Sequence, residues 1–558
     1  MYKKAFARRL KDNKFLIHLW EDSGYSKIEW DNQAYVECDK SESNYKGLNG
    51  EHLKKVKNYR SDNPNLHFHD MPPYQKFLIE KYGINDTPST THRELFFDIE
   101  CEMLDDMSEE GLKRANKKIT SIAWYDKQVD EWGIVVLDEK NHFGSNIKTK
   151  SNKKIIPCRN EGELLAKFLE IFRDIDPDIL VGWNSDYFDI PYLYYRMCNV
   201  LGQEFAKHLS PIGYVRETPW FKDQYIQICG VESLDYMRLH KKFSWADEPS
   251  MRLDAIGEKY AGMKKIEYDG NLDKLYEEDI ATFIKYNFRD VEILKLLDEK
   301  LDYLALTKNL AHKGKHNYSE VYANTKTQDG AISAYLLSQN IIPPAKERNP
   351  ISKKNYAGGY LFCPKAGKMD YLFDLDLTSL YPSIIMTINI GKETYVGRII
   401  DADDRNNRLG YNDLKCMDYA DEMVVENKKR QQTRVNIGRI VKMIEQNDLL
   451  ISANGVMYSK DRESVLSTIL KKWFDERVIY KNKMKKAYKV GDKELGAAMH
   501  MKQYTMKILL NSLYGATALG SFRYGNVILS ESITLSGQRI IQESALAANR
   551  EMNKEIKK

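Results

Sequence analysis

The sequence is poor in the features that anchor a chain in a membrane or cross-link it covalently. No stretch approaches the roughly 18 consecutive apolar residues of a membrane span, and the basic N-terminal segment lacks the apolar region of a secretory signal. The seven cysteines are scattered singly, with no C-x-x-C pair, which argues against a structural zinc site and a disulfide framework. We therefore expect a reduced, cytoplasmic protein with no membrane partner.

The chain also has little net charge. Its 85 Lys and Arg residues against 81 Asp and Glu residues leave +4, so composition alone does not indicate a nucleic-acid partner, and any such surface must be local. Of the 558 residues, 42% are hydrophobic and 30% charged, which is typical of a globular chain. A single core stops growing at roughly 250 to 300 residues. We expect three or more domains.

Strand and helix patterns alternate along much of the chain. Three β-rich runs (LFFDIE, TSIAWY and WGIVVLD), a helical pattern (EGELLAKFLEIFRDI) and a buried strand (DPDILVGWN) predict an α/β domain over about residues 93–302. A second α/β region opens near residue 371. Two long helices, at 462–489 and 493–514, are predicted to form an antiparallel arm. A last helix is predicted at about 531–556, with one broad apolar stripe of Ile533, Ile540, Ile541, Ala545, Leu546 and Met552.

A first group of acidic residues lies within the α/β domain. Asp98 and Glu100 are two apart in an apolar strand, so both carboxylates share one face. Asp189 follows a buried strand, and Tyr286 and Asp290 are four apart on one helix face. Each set alone is weak evidence for a functional site, since two acids at a strand end are as often simply solvated.

Taken together, the four acids predict a metal site. Carboxylates brought within a few ångströms cannot all stay ionised unless cations lie among them, and oxygen ligands suit Mg²⁺ or Mn²⁺. Two such ions can activate a water molecule and stabilise the leaving oxygen of a phosphodiester. Tyr286 is a candidate for positioning that water.

Three motifs then give a family resemblance. FFDIE, N-x-x-x-F-D (Asn184 to Asp189) and Y-x-x-x-D (Tyr286 to Asp290), in that order, resemble the motifs of DEDDy 3′–5′ exonucleases. The resemblance implies an RNase H-like domain that removes single nucleotides from a single-stranded DNA 3′ end. It also implies that Tyr286 assists catalysis. The implied metal ligands and catalytic acids are Asp98, Glu100, Asp189 and Asp290.

A second acidic position occurs in DLDLTSLYPSII. This segment places Asp376 at the end of an apolar strand, ahead of Ser379, Leu380 and Tyr381. An isolated D-x-x-S-L would predict only a strand followed by a capped helix. A functional interpretation of this segment therefore depends on the predicted helical arm that follows it in the sequence.

The predicted arm is basic. Residues 471–507 contain 11 Lys or Arg against 4 Asp or Glu. A charged helix is normally just solvated, but cations four apart on two facing helices can instead form a clamp for a triphosphate. The residues in this pattern are Arg477 and Lys481 on the first helix, and Lys507, Asn511 and Tyr514 on the second.

These segments resemble family B DNA polymerases of the T-even phage type. The matching motifs are D-x-x-S-L-Y-P-S, K-x-x-x-N-S-x-Y-G from Lys507 to Gly515, and Y-x-G-G from Tyr356 to Gly359. The resemblance implies that Asp376 binds catalytic Mg²⁺ or Mn²⁺, two ions per site, and that Tyr381 packs under the sugar of the incoming dNTP. The implied nucleotide-binding set is Ser379, Leu380, Tyr381, Arg477, Lys481, Lys507, Asn511 and Tyr514; Tyr356, Gly358 and Gly359 would contact the template strand of primer–template DNA.

The same resemblance implies a domain organisation, a partial right hand without a thumb. The expected domains are an N-terminal domain (1–92 and 303–347), an exonuclease domain (93–302), a partial palm (348–463 and 520–558) and helical fingers (464–519).

One departure from the family pattern changes the expected activity. Family B polymerases carry a third motif, D-T-D, whose aspartate completes the metal pair with the equivalent of Asp376, and no D-T-D occurs in this sequence. Phosphoryl transfer with two metals needs both carboxylates. We predict that this chain cannot polymerise alone and that a C-terminal polypeptide supplies the second aspartate, the thumb and any contact with a sliding clamp. A truncated reading frame would look the same.

Two alternatives stay open. The chain could be a stand-alone 3′–5′ exonuclease with a vestigial polymerase region, although the intact Tyr381, Lys507, Asn511 and Tyr514 set argues against decay. It could also be a nucleic-acid-binding repressor without enzymatic activity, although the complete carboxylate set argues against that as the sole role. If the chain is encoded by a phage, its expected location is the cytoplasm of the bacterial host.

Overall fold

A computed structural model describes residues 1–143, 153–218, 226–244, 246–347, 358–362, 366–368, 375–377, 379–400 and 409–556. The chain divides into two compact units, one of Met1–Asn32 and Pro72–Ala323, the other of Gln33–Met71 and Asn324–Lys558. The bounds of the four predicted domains remain predictions. Across the described residues, every helix is too short or too polar to cross a bilayer.

The first unit begins with a small antiparallel sheet. Its strands are β1 (Tyr2–Arg9), β2 (Lys14–Glu21) and β3 (Gly24–Asp31), and helix α1 (Pro73–Tyr82) packs on one face. Because side chains alternate along a strand, every second residue meets the helix. The shared core consists of Tyr2, Ala5, Ile17, Leu19, Phe77 and Leu78.

A mixed six-stranded sheet forms the centre of the same unit. In spatial order its strands are β11 (Lys153–Cys158), β10 (Glu131–Leu137), β9 (Ile119–Asp126), β8 (Glu94–Cys101), β12 (Ile179–Gly182) and β15 (Glu232–Asp235). Strand β8 is antiparallel to β9 and parallel to β12. The predicted α/β character of this region is therefore confirmed, while an RNase H-like topology remains a prediction.

Helices cover both faces of this sheet. Leu95, Phe97 and Ile99 of β8 join the core that contains helices α3 (Glu161–Ile175) and α4 (Asp189–Leu201). By alternation, Asp98 and Glu100 lie on the opposite face, where helix α9 (Ile280–Leu301) packs. The remaining elements of the unit are α2 (Glu109–Arg114), α5 (Gln203–Ala206), α6 (Tyr236–Phe243), α7 (Leu253–Ile256), α8 (Leu272–Glu278), α10 (Tyr303–Gly314), β13 (Val215–Glu217) and β14 (Ile226–Ile228).

The second unit contains two five-stranded sheets. The first has the order β16 (Ile341–Ile342), β5 (Tyr45–Gly47), β6 (His52–Val56), β4 (Ala34–Glu37) and β7 (Leu66–His67). The second has the order β19 (Gln432–Asn436), β18 (Glu422–Asn427), β17 (Tyr395–Ile399), β21 (Val456–Tyr458) and β20 (Leu450–Ile451). Helix α14 (Ile437–Gln446) buries Ile437, Ile440, Val441 and Ile444 against the second sheet.

The helices predicted in this unit are confirmed. The arm consists of α15 (Val465–Lys489) and α16 (Lys493–Thr517), which pack along each other. The Ser464 hydroxyl caps the start of α15, and Gly491 turns the chain with a positive φ of 81°. The last helix, α17, spans Val527–Ile556 and so begins four residues before the predicted start. Also present are α11 (Asn324–Ser338), α12 (Leu380–Ile388) and α13 (Tyr411–Lys415).

The apolar stripe predicted on α17 is buried only in part. Ile533 is fully buried, whereas Ile540, Leu546 and Met552 are 39%, 60% and 47% exposed. The strand predicted to lead into Asp376 lies mostly outside the described residues, because 369–374 are not described.

Candidate active sites

The predicted carboxylates of the first unit lie together. One carboxylate oxygen from each of Asp98, Glu100 and Asp290 lies within 4.8 Å of the other two. The two strand acids share a face of β8, and Asp290 projects from helix α9, which packs on that face. The two-residue spacing of the acids on β8 and the packing of α9 thus bring the three carboxylates close together.

Asp189 joins them from another direction. It is the first residue of α4 and is buried, and its Oδ1 accepts a hydrogen bond from the backbone N–H of Ile99, 3.3 Å away. That N–H lies between Asp98 and Glu100 in the strand. All four predicted acids are therefore gathered around the end of β8.

The electrostatics of the cluster favour protonation or a bound cation. Burial, followed by repulsion from Asp290, Glu100 and Asp189, raises the pKa of Asp98 well above its usual value. Burial and Asp290 raise the pKa of Glu100 to about 8, and burial raises the pKa of Asp189 to about 7. Oδ1 of Asp290 is buried and has no hydrogen-bond partner among the described residues. A set of oxygen donors with excess negative charge fits divalent cations such as Mg²⁺ or Mn²⁺.

Lys265 is a functional candidate that the sequence did not reveal. Its Nζ donates a 2.5 Å hydrogen bond to Oδ2 of Asp290 and a 3.2 Å hydrogen bond to the hydroxyl of Tyr286. Its backbone N–H donates to Oδ1 of Asp254 at 2.8 Å, which holds the loop in place. Lys265 lies in a loop with no periodic pattern, so only the tertiary contacts identify it.

A buried polar chain holds Asp98. Nδ2 of Asn287 donates to Oδ2 of Asp98 at 2.7 Å, and the Ser121 hydroxyl donates to Oδ1 of Asn287 at 2.9 Å. Asn287 is fully buried. Asn287 directly follows Tyr286 in the Y-x-x-x-D motif. A polar residue on the buried side of a helix requires a hydrogen-bond partner, and this was the sequence signal that could have identified Asn287.

A cleft of about 660 Å³ opens onto the cluster. Asp98, Lys265 and Tyr286 line its polar side, and Trp183 and Tyr268 add aromatic surface. Tyr268 contacts Tyr286 edge to face, with ring centroids 5.3 Å apart. Open aromatic faces beside a carboxylate cluster can hold a flexible nucleotide chain by stacking.

In the second unit, two predicted tyrosines and two predicted glycines meet. The rings of Tyr381 and Tyr514 lie with centroids 4.4 Å apart at 31°. A Cβ on Gly359 would lie 3.3 Å from the Tyr381 hydroxyl, and the carbonyl of Gly358 accepts a 2.6 Å hydrogen bond from Nε2 of Gln538. A side chain at residue 359 would therefore press on the Tyr381 hydroxyl and displace it by a few tenths of an ångström.

Among the residues that the structure describes, the other predicted polymerase residues form no comparable cluster. Asp376 is exposed and belongs to no group of three potential metal ligands within the described part of the chain. Ser379 and Leu380 form the start of α12, with Ser379 at a positive φ of 55°. Arg477 and Lys481 lie on α15, and Lys507 and Asn511 lie on α16, so the predicted set occupies two packed helices, and the triphosphate clamp stays a prediction. Tyr356 lies outside the described residues.

Comparison with known protein families finds a match in each of the two units. Residues 325–558 match the family model "DNA polymerase family B", and residues 74–256 match "DNA polymerase family B, exonuclease domain". Together the two matches cover about three quarters of the chain.

Individual proteins that are similar to this chain are DNA polymerases. The DNA-directed DNA polymerase of Escherichia phage RB69 is 29% identical over 480 residues, which is 76% of this chain and 50% of the relative. That of Enterobacteria phage T4 is 27% identical over 451 residues, covering 72% and 47%, and the DNA polymerase of Pyrococcus glycovorans is 24% identical over 496 residues, covering 85% and 53%. The chain spans about half the length of the curated relatives it matches. On these matches, the chain belongs to DNA polymerase family B and carries that family's exonuclease domain ahead of a polymerase region.

Proposed function

We propose that this chain is the N-terminal part of a phage-type replicative DNA-directed DNA polymerase, with a complete 3′–5′ proofreading exonuclease and an incomplete site for nucleotidyl transfer. The observation that carries the proposal is the convergence of Asp98, Glu100 and Asp290 within 4.8 Å in a chain that matches the family's exonuclease domain. The substrate of this site would be the single-stranded 3′ end of DNA.

In the proposed reaction, Asp98, Glu100, Asp189 and Asp290 would hold two Mg²⁺ or Mn²⁺ ions. When bound, such ions supply an activated water and stabilise the leaving 3′ oxygen. Water attacks the phosphorus, the bond to the 3′ oxygen breaks, and a nucleoside monophosphate leaves a new 3′ hydroxyl.

The chain's own groups prepare that reaction. The Tyr286 hydroxyl, held by Lys265 at 3.2 Å, is placed to orient the attacking water. The ammonium of Lys265 offsets the charge of Asp290, and Asn287 fixes the rotamer of Asp98. Each of these contacts fixes the orientation of a reacting or ligating group before substrate arrives.

For nucleotidyl transfer, we propose that Asp376 supplies one palm carboxylate and that the basic residues of α15 and α16 hold the dNTP triphosphate. The contact between Tyr381 and Tyr514, at 4.4 Å, supports an intact nucleotide site rather than a vestigial one, because a site under no constraint has no reason to keep this packing. With no D-T-D in the sequence, transfer requires further polypeptide that carries the second aspartate and the thumb. A sliding clamp would be reached through that polypeptide.

One assay tests the whole proposal. The chain is incubated with a 5′-labelled primer on a template, Mg²⁺ and dNTPs, with and without a C-terminal family B polypeptide that contains D-T-D. We expect shortening of the primer by the chain alone, and extension only when the second polypeptide is present.

The variants make the outcome specific. Asp98→Ala with Glu100→Ala should abolish shortening, while Glu110→Gln, on the exposed surface of α2, should leave it unchanged. Shortening that survives the double substitution would refute the nuclease assignment. Extension by the single chain would refute the need for a partner.

A further inference from the structure

The sheet of strands β1 to β3 has a second face, opposite to the one that packs on α1. The register aligns Phe6 with His18 and His18 with Lys27, and it aligns Trp20 with Tyr25. The four aromatic side chains among them form a continuous set of rings, which Tyr214 extends. The centroid distances are 5.9 Å for Phe6–His18, 6.0 Å for His18–Tyr25, 4.8 Å for Trp20–Tyr25 and 5.7 Å for Phe6–Tyr214.

Part of this ring set is ordinary packing. Trp20 and His18 are buried at 8% and 7% exposure, and Trp20 lies against Gly230, where an added Cβ would be 3.0 Å from its ring. Tyr25 and Tyr214 differ, because they are 45% and 48% exposed. The buried rings explain how the sheet is held, but they do not explain why two large rings at the edge remain open.

The exposed ring of Tyr25 is held in place. A 2.6 Å hydrogen bond joins its hydroxyl to Nδ1 of His18, and its ring stacks against that histidine at 25°. Restricting the ring in this way lowers the entropy cost of stacking a further planar group on it. Tyr25 thus offers an ordered stacking surface.

Positive charge surrounds the rings. Arg8 and Lys27 are exposed, and after burial they are the groups that lower the pKa of His18, which places their charges near the ring set. The adjoining ends of β1 and β2 and the turn between them add exposed Arg9, Lys11 and Lys14 against Asp12. Glu29 and Asp31 lie on the same face, opposite Leu16 and Lys14, so the face is positive overall without being uniformly so. Lys4 contributes no open charge because it is buried and paired with Asp178 at 3.3 Å.

We infer that this face, which we call the aromatic–basic face (Phe6, Arg8, Tyr25, Lys27 and Tyr214), binds single-stranded DNA. Ordered, open aromatic rings beside positive charges are what sequence-tolerant binding of a single strand requires, because every base can stack and every nucleotide carries a phosphate. None of the five residues lines the cleft at the carboxylate cluster. The choice of DNA over RNA rests on the proposed function.

The test uses the full chain with Asp98→Ala and Glu100→Ala, in EDTA, so that binding is measured without degradation. Fluorescence anisotropy reports the Kd for oligothymidylates of about 4 and about 16 nucleotides, a range typical of single-strand sites. Tyr25→Ala should weaken binding of the longer strand by about 5-fold or more, which is the loss of one stacked base. Tyr25→Phe keeps the ring but loses the hydrogen bond to His18, so it should weaken binding by less than Tyr25→Ala does.

A second readout tests the charges. Arg8→Gln with Lys27→Gln should reduce the slope of log K against log salt by about 1.4, since each phosphate contact of a single strand contributes about 0.7. Matched controls are Tyr419→Ala, a tyrosine that is 46% exposed elsewhere, and Lys113→Gln with Lys167→Gln, whose side chains on α2 and α3 are 43% and 39% exposed. The controls should leave both Kd and slope unchanged.

The result that overturns the inference is an unchanged Kd and salt slope in the aromatic–basic variants, or an equal loss in Tyr25→Phe and Tyr25→Ala. Tighter Tyr25-dependent binding of oligouridylate than of oligothymidylate would overturn the choice of DNA. Failure of the proposed function is seen separately. In the background with Asp98 and Glu100 intact, absence of shortening of the 4-nucleotide strand with Mg²⁺ would refute the nuclease without affecting the binding result.

Discussion

Nζ of Lys265 lies 2.5 Å from Oδ2 of Asp290, so the chain places one of its own cations inside its carboxylate cluster. Burial alone would lower the pKa of Lys265, but the charges of Asp290 and Asp98 outweigh it and raise that pKa. The lysine is therefore a fixed positive charge that offsets part of the negative charge of the cluster. It also reaches Tyr286, which couples charge balance to the group expected to orient water.

Replacing this cation should impair catalysis more than binding. We expect Lys265→Met to lower kcat for degradation of a single-stranded oligonucleotide by about 10²-fold or more, the loss typical of removing one preorganised electrostatic group. Lys264→Met is the matched control, because its ammonium is exposed and pairs with Glu258 at 3.0 Å. Single-turnover degradation measures the effect, and equal rates for the two variants would contradict the role given to Lys265.

The carboxylate cluster should also cost stability when no divalent ion is bound. Burial and mutual repulsion raise the pKa of Asp98 and Glu100, so at neutral pH folding must either protonate these carboxyls or bury them ionised, and both cost stability. Asp98→Asn with Glu100→Gln should therefore stabilise the protein in EDTA by roughly 1 to 3 kcal/mol. Millimolar Mg²⁺ should raise the Tm of the parent but not that of the variant.

Differential scanning calorimetry checks this prediction, with Glu110→Gln as the control for removing a surface acid. The opposite result, a parent that is more stable than the variant in EDTA and insensitive to Mg²⁺, would mean that the four acids do not form a cation site.

The acids of this site were predictable because each lies on an element whose periodicity fixes its direction. A spacing of two on a strand aligned Asp98 with Glu100, and an i, i+4 spacing aligned Tyr286 with Asp290. The helices of the arm were predictable for the same reason, and their observed bounds differ from the predicted ones by three residues at most. Periodic patterns carry enough information to locate such residues.

Lys265 and Asn287 were not predictable in this way. Lys265 reaches Asp290 from a loop 25 residues earlier in the chain, and no local pattern records where a loop will fold. Asn287 lies in a recognised motif, but its hydrogen bond to Asp98 spans 189 residues. The exposure of Leu546 and Met552 could not be predicted from an apolar stripe either. A stripe indicates which residues are apolar, but not whether another element covers them.

Glu94 gives a prediction for acid stability. Burial would raise its pKa, but Lys308 and Lys127 more than compensate and lower it to about 2. Because the folded pKa lies below the unfolded value, this carboxylate contributes stability that is present above the unfolded pKa, near 4.5, and is lost as the pH falls towards 2.

The contribution at neutral pH should be about 3 kcal/mol, since each pKa unit corresponds to about 1.4 kcal/mol. Glu94→Gln should therefore destabilise the protein at pH 7 in urea titrations, and the difference from the parent should shrink as the pH falls below 4.5. Glu131→Gln, which removes an exposed partner of Lys154, is the control. A difference that stays constant from pH 7 to pH 3 would show that the ion pairs do not account for the effect.

Arg523 gives a prediction for the stability of the second unit. Its side chain is fully buried, its Nε lies 2.9 Å from Oδ1 of Asp329, and its Nη1 lies 2.6 Å from Oδ1 of Asp70 and 2.5 Å from the carbonyl oxygen of Pro344. The residue thus joins the segment 33–71 to later parts of the same unit through one guanidinium. Removing one partner of a buried ion pair leaves the other charge uncompensated, which costs about 3 to 5 kcal/mol.

We expect Arg523→Ala to destabilise the chain by that amount, measured as a lowered Tm and a lowered urea midpoint. Arg523→Lys keeps the charge but lacks the planar fork that reaches three acceptors, so an intermediate loss is expected. Arg434→Ala, on the exposed edge strand β19, should change neither value. If Arg523→Lys matches the parent, charge alone holds the segment, and if Arg523→Ala does so, these contacts contribute nothing to stability.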